Sequence, residues 1–154
     1  MREPAIVMIE ALPRGMRAAV AGLSDRQLDT QYRSGSWTVR QVVHHVVDSH
    51  VNAYIRLKFA LTEDAPTVKP YNEKTWAGLP DSRLAVQVSL GILDGIHARW
   101  AALGRALAPE QWGRTFHHPE YEGPRTIDWL FQSYAWHSRH HVAHITELRK
   151  REGW

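Results

Sequence analysis

Apolar side chains recur at three- and four-residue intervals over four stretches of this chain, the pattern of helices with one buried face. The first predicted helix runs from about Pro4 to Gly22; Pro4 suits a first turn, and Pro13 is expected to kink or restart it. Ser24-Asp25-Arg26-Gln27 has the form of a capping box and opens a short helical piece. After a polar loop around Gly35, Thr38-Val39-Arg40-Gln41 repeats the capping box, with Trp37 placed to staple the entry. The second long helix continues from there to about Leu61. Residues 63–80 hold Pro66, Pro70, Gly78 and Pro80 and predict a connector with at most one short helical turn. Asp81 or Ser82 is the expected cap of a third helix reaching about Leu107. Residues 108–125 are loop-like, with Thr115 to Tyr121 as a short extended piece. Thr126 caps the last helix, Asp128 favours its positive end, and Gly153 stops it. Four helices of roughly 18–26 residues predict an all-α fold, a four-helix bundle, with residues 1–154 forming one domain.

Composition narrows the function classes. Apolar residues are 44% of the chain and charged residues 23%, ordinary for a globular protein. No apolar run is long enough for a transmembrane helix, and the N-terminal residues lack the features of a signal peptide. The absence of cysteine excludes disulfides, thiolate ligands and a cysteine nucleophile, and fits a reducing compartment, so a cytoplasmic location is expected. The net charge of +3 comes from scattered residues. The one dense cluster, Arg149-Lys150-Arg151, lies where a helix dipole favours cations. Neither nucleic acid nor membrane is therefore expected as a partner. No Ser-His-Asp set, phosphate-binding loop or dinucleotide fingerprint is present.

The ten histidines change the picture, because seven fall in two segments: His44, His45 and His50, then His137, His140, His141 and His144. On a wheel of the last helix with His137 at zero, His141 lies at about +40°, His144 at about −20° and His140 at about −60°. Leu130, Tyr134, Ile145 and Leu148 fall at about +20° to +80°, so the apolar stripe is centred close to His137 and His141. A buried imidazole must satisfy both nitrogens, and a metal satisfies one from each of two rings set at i and i+4. A single core histidine bonded to a carbonyl is the plainer alternative. A bundle can present a third ligand from another helix, and on the second helix the wheel offers both His45, at the edge of the stripe, and His50, nearer its centre.

The stretches from Gly35-Ser36-Trp37-Thr38 through His44-His45-Val46-Val47-Asp48-Ser49-His50, and Tyr134-Ala135-Trp136-His137-Ser138-Arg139-His140-His141-Val142-Ala143-His144-Ile145, resemble the two motifs of the DinB/YfiT-like family. The connector from Ala60 to Pro66 and the closing Arg151-Glu152-Gly153-Trp154 are also similar to its YfiT branch. The resemblance covers nearly the whole chain. The departure is an expected later start, without that branch's extra N-terminal segment, which bears on contacts of that segment and not on the metal site. The resemblance implies a four-helix bundle, often a homodimer, with a three-histidine site for one divalent metal ion per chain. By motif position the ligands are His45, His137 and His141. His44 falls on the polar face of its helix. His50 reads as a core or pocket residue bonded to a neighbour. His140 and His144 divide between roles behind the ligands and roles facing substrate, while His97 and His117-His118 read as structural or exposed. Asp48, one turn after His45, either orients a ligand ring or is a solvated helix acid.

Three imidazoles with an open fourth position describe a catalytic rather than a structural metal site, and an all-nitrogen set suits Zn2+ or Ni2+. The open position serves either a hydroxide for hydrolysis or a thiol deprotonated for attack. Ser138, Arg139 and His140 fill the interval in which HExxH enzymes carry their glutamate base, which favours the thiol. The resemblance points both ways, to metal-dependent hydrolases and to S-transferases of small thiols such as bacillithiol. The expected function is transfer of a small thiol to a small electrophilic substrate. The alternatives are metal-dependent hydrolysis and a non-enzymatic metal- or ligand-binding module.

Overall fold

The computed structural model describes residues 2–154. Four long helices carry the fold: α1 (Arg2–Val20), α3 (Val39–Thr62), α5 (Val86–Ala106) and α6 (Ile127–Glu152). Two single-turn helices, α2 (Asp25–Leu28) and α4 (Glu73–Trp76), lie in the connections. A two-residue hairpin pairs β1 (Thr115–Phe116) antiparallel with β2 (Arg125–Thr126). Both capping boxes form as the sequence predicts. Ser24 and Gln27 close the entry to α2, and Thr38 and Gln41 the entry to α3, each pair satisfying two free backbone donors. Thr126 accepts from the Trp129 amide at the start of α6, and Gly153 ends that helix with φ of 71°, where a Cβ would be strained.

Two expectations fail for local reasons. Pro13 neither kinks nor restarts α1, which is continuous through it. Proline removes one backbone donor, and the carbonyl it leaves free, that of Ile9, instead accepts a hydrogen bond from His97 Nδ1. Asp81 and Ser82 do not cap the third long helix. Pro80–Arg83 forms a 3-10 turn, and α5 starts at Val86 after the extended Leu84, without a side-chain cap.

The helices do not follow a simple up-down order. α1 packs on α5 and α6, and so does α3, which sets α1 against α3 and α5 against α6 across the diagonals. Arg2 pairs with Asp128, and Arg149 bonds the Ala19 carbonyl, so α1 and α6 run in the same direction. Arg40 near the start of α3 bonds the Leu84 carbonyl just before α5, so those two helices also run together. A parallel pair needs a connection that travels back along the bundle. Residues 63–85 make that return and so carry α4 past the middle of the molecule.

The interior divides into two apolar halves. One is aliphatic: Leu12, Met16, Val42, Val46, Leu90, Leu93, Ile145 and Leu148. The other is aromatic: Trp100, Trp112, Phe116 and Phe131, with Ile9, Leu57 and Ile127. Each long helix passes from one half to the other, and at the junction each presents polar groups: the Ile9 carbonyl, His45 with Ser49 and His50, His97, and His137 with Ser138 and His141. The histidines form a layer between two dry cores.

Candidate metal centre

The three histidines of the candidate centre come from the two helices that cross this layer in opposite directions. His45 lies two turns into α3, fixed by the Thr38 cap, while His137 and His141 are one turn apart on α6, fixed by Thr126. One ring nitrogen from each of His45, His137 and His141 lies within 4.8 Å of the other two. The Nε2 atoms of His137 and His141 are 3.1 Å apart. Two nitrogens about 2.0–2.1 Å from a tetrahedral ion are separated by about 3.3–3.4 Å, so the His137–His141 pair needs to open by only a few tenths of an ångström, and His45 closes the remaining distance to it. Trp37 packs its ring against His45 at 4.5 Å between centroids and closes one side.

The electrostatics favour neutral rings. Burial lowers the pKa of His45 to about 4. Burial and then the neighbouring imidazoles lower His137 to about 3, and the same causes push His141 down further. Three neutral imidazoles with converging lone pairs are a donor set suited to a borderline divalent cation. The residues fit the metal that their arrangement implies.

Behind the ligands stands a chain of supports. His50, fully buried, places Nε2 3.1 Å from His137 Nδ1. With His137 Nε2 turned to a metal, its Nδ1–H donates to His50, which fixes the tautomer and the ring plane. His50 stacks on His97 at 4.9 Å, and His97 donates to the carbonyl freed by Pro13. The group that orients the His137 ring is thus an imidazole from α3. Asp48 is half-buried, its pKa raised to about 6 by burial and by Asp81.

Of the other histidines, His44 departs from the helical wheel, while His140 and His144 match their places at the edge of the apolar stripe. His44 is buried: its Nε2 donates to the Leu84 carbonyl at 3.0 Å, and its Nδ1 accepts from Ser89 Oγ at 2.7 Å. The polar face expected of it is covered by the start of α5. His140 and His144 are half-buried and face each other, and neither bonds a ligand ring. His118 is buried and lines the cleft described next, whereas His117 is exposed.

A cleft of about 960 Å3 opens beside the triad, with the His137 ring in its wall and Arg56, Tyr71, Glu73, Lys74 and Tyr134 around it. Sequence reasoning missed Glu73, which the returning connector brings to 4.0 Å from His45 Nε2 through its carboxylate Oε2. Its one local signal is the Asn72 side chain, which caps α4 and so fixes where Glu73 points. The interval between His137 and His141 holds no glutamate, as the sequence shows, yet a carboxylate reaches the centre from elsewhere.

Residues 8–145 match the model of the DinB superfamily. A protein of Bacillus cereus named "Putative metal-dependent hydrolase" is 57% identical over 146 residues, covering 95% of this chain and 84% of that protein. A protein of the same description from Oceanobacillus iheyensis is 53% identical over the same length and shares. The solved structure of YfiT from Bacillus subtilis, described as "a probable metal-dependent hydrolase with an unusual four-helix bundle topology", superposes with a TM-score of 0.96 at 48% identity. That match covers 99% of this chain and 88% of YfiT.

Proposed function

The chain belongs to the DinB superfamily, and from that premise we propose that it is a metal-dependent enzyme that joins a small thiol to a small electrophile at the three-histidine centre. The observation that carries this reading is the size of the cleft against which the triad opens. Small-molecule sites span about 300–1,000 Å3, and a cleft of about 960 Å3 lies at the upper end of that range, wide enough to accept a thiol beside an electrophile. When bound, a divalent ion supplies Lewis acidity that draws down the pKa of a thiol or water docked at its open position.

The protein's own groups divide the remaining work. His45, His137 and His141 hold the ion, and His50 keeps His137 in the tautomer that offers Nε2. Trp37 shields His45 from water. Arg56 and Lys74 supply positive charge for anionic groups on either partner, and the rings of Tyr71 and Tyr134 give the cleft apolar walls. In the transfer, the thiol sulfur bonds to the electrophilic carbon as the leaving group departs with its electron pair. The proton lost from sulfur passes to the Glu73 carboxylate and from there to solvent.

A second reading has its own observation. The Glu73 carboxylate beside His45 is also where a hydrolase needs a base, and the relatives' names point to hydrolysis. Metal-loaded protein assayed with a panel of small thiols and an aryl halide electrophile separates the two. Transfer requires turnover that depends on both thiol and metal. Thiol-independent cleavage of esters or amides, lost in Glu73→Gln, establishes hydrolysis instead.

A further inference from the structure

The last helix carries its pair of facing imidazoles twice. His137 and His141 bring their Nε2 atoms to 3.1 Å; His140 and His144, with the same four-residue spacing, bring theirs to 3.0 Å. The outer pair is held as firmly as the inner. His140 lies flat on Trp136, with ring centroids 4.5 Å apart and planes at 18°, and His144 lies flat on Tyr32, at 4.1 Å and 17°. Two stacked rings with their nitrogens already turned toward each other lose little rotamer freedom when they share an ion. Both outer rings also border the inner centre: His140 is 5.2 Å and His144 5.5 Å from the ring of His141.

We propose that His140 and His144 form a second, outer divalent-metal site that captures the ion for the inner triad. The class of ligand follows from the donors: two imidazole nitrogens suit Ni2+, Zn2+ or Cu2+ and not Mg2+ or Ca2+. The site is weak by construction. It has two protein ligands against three, and the Arg33 guanidinium, which lies over the Tyr32 ring, acts on His144 with its positive charge and opposes a cation there. Weak binding on the solvent side, one ring away from tighter binding inside, is what capture needs, because an ion held too firmly outside is not passed on. The capture role rests on the reading that the inner triad binds metal; the outer site itself does not.

The test is a Ni2+ titration of the metal-free full chain, followed by calorimetry. Two steps are expected, each of about one equivalent, with the second at least about tenfold weaker. His140→Ala/His144→Ala removes the weak step and leaves the tight one. His45→Ala/His137→Ala does the reverse, so a failed inner site leaves the outer one measurable. Arg33→Gln tightens the weak step by roughly three- to tenfold, the effect of removing one screened charge from near a doubly charged ion. A single equivalent in the unsubstituted chain, or a weak step that survives His140→Ala/His144→Ala, overturns the site. Equal filling rates of the tight site with and without the outer pair overturn its role in capture.

Discussion

The aliphatic and the aromatic halves of the interior are alike in dryness and differ in what they border. The aliphatic half is built from branched side chains at helical spacing, Val39, Val42, Val43 and Val46 on α3 against Leu90 and Leu93 on α5. The aromatic half is built from large rings, with Trp100 touching both Phe131 and Tyr134, and Tyr134 touching His137. Aromatic contacts therefore run without a break from the deep core into the histidine layer, whereas the aliphatic half meets that layer through rings at its rim, Trp37 on His45 and Tyr32 on His144. The difference separates two kinds of burial. One supplies stability alone. The other supplies stability and also positions chemistry, so damage there should reach the metal.

The largest expected effect comes from the layer itself. His137→Ala should remove the tightly bound equivalent of the inner triad, since one of its three donors is lost; elemental analysis of protein dialysed free of weakly held ions checks this. Next come the halves. Phe131→Ala should destabilise by about 3–5 kcal/mol and Leu93→Ala by about 2–5 kcal/mol in urea unfolding. Only Phe131→Ala should also weaken metal binding, and equal affinities in the two variants would erase the distinction between the halves.

A pH experiment isolates the layer's own cost. Burial lowers the pKa of His97 to about 4, below the ordinary value of about 6.5. The unfolded chain then takes up this proton at higher pH than the folded one. Stability from His97 is fully present above about pH 6.5 and is lost as pH falls toward about 4, by roughly 3 kcal/mol at most. His44 is shifted in the same direction. Asp48, raised to about 6, opposes them: its contribution is present below its unfolded pKa and lost as pH rises through about 6. Unfolding at about pH 7.5 and about pH 4.5, in the native chain and in His97→Leu, should show a smaller difference in the variant.

Removing the support of a ligand should separate affinity from stability. His50→Leu keeps volume in the layer while deleting the acceptor for His137 Nδ1, so metal affinity should fall by about 10–100-fold, while stability falls by no more than about 1–3 kcal/mol, the cost of leaving that donor unpaired. Competition with a chelator reads the first and urea unfolding the second. The smallest effect is at the entry to α6: Thr126→Ala should cost about 1 kcal/mol by leaving the Trp129 amide without its partner.

What the sequence made legible was local. The capping boxes at Ser24 and Thr38, the stop at Gly153 and the centring of His137 and His141 on the apolar stripe each depend on residues within a turn or two of one another. The errors share a cause. A helical wheel gives a direction around one axis and says nothing of what another segment lays over that face. His44 points away from the triad as expected, yet the start of α5 buries it. His45 and His50 both face inward, and only the neighbouring helix decides that one joins the triad while the other supports it. Glu73 reaches the centre because α3 and α5 run in parallel, a property of the whole topology that no window of the sequence contains.

The arrangement of α1 bears on how the protein is made. It leaves the ribosome well before its partners, α5 and α6. Until α5 and then α6 emerge, the apolar face of α1, with Ile6, Ile9, Leu12 and Met16, lacks the surfaces it packs on. Long-range partners of this kind slow folding, and a greasy helix kept waiting invites association with other chains. Because the Ile9 carbonyl anchors His97 behind His50, the histidine layer is assembled only when that first helix docks, so the order of synthesis makes completion of the centre one of the final steps of folding.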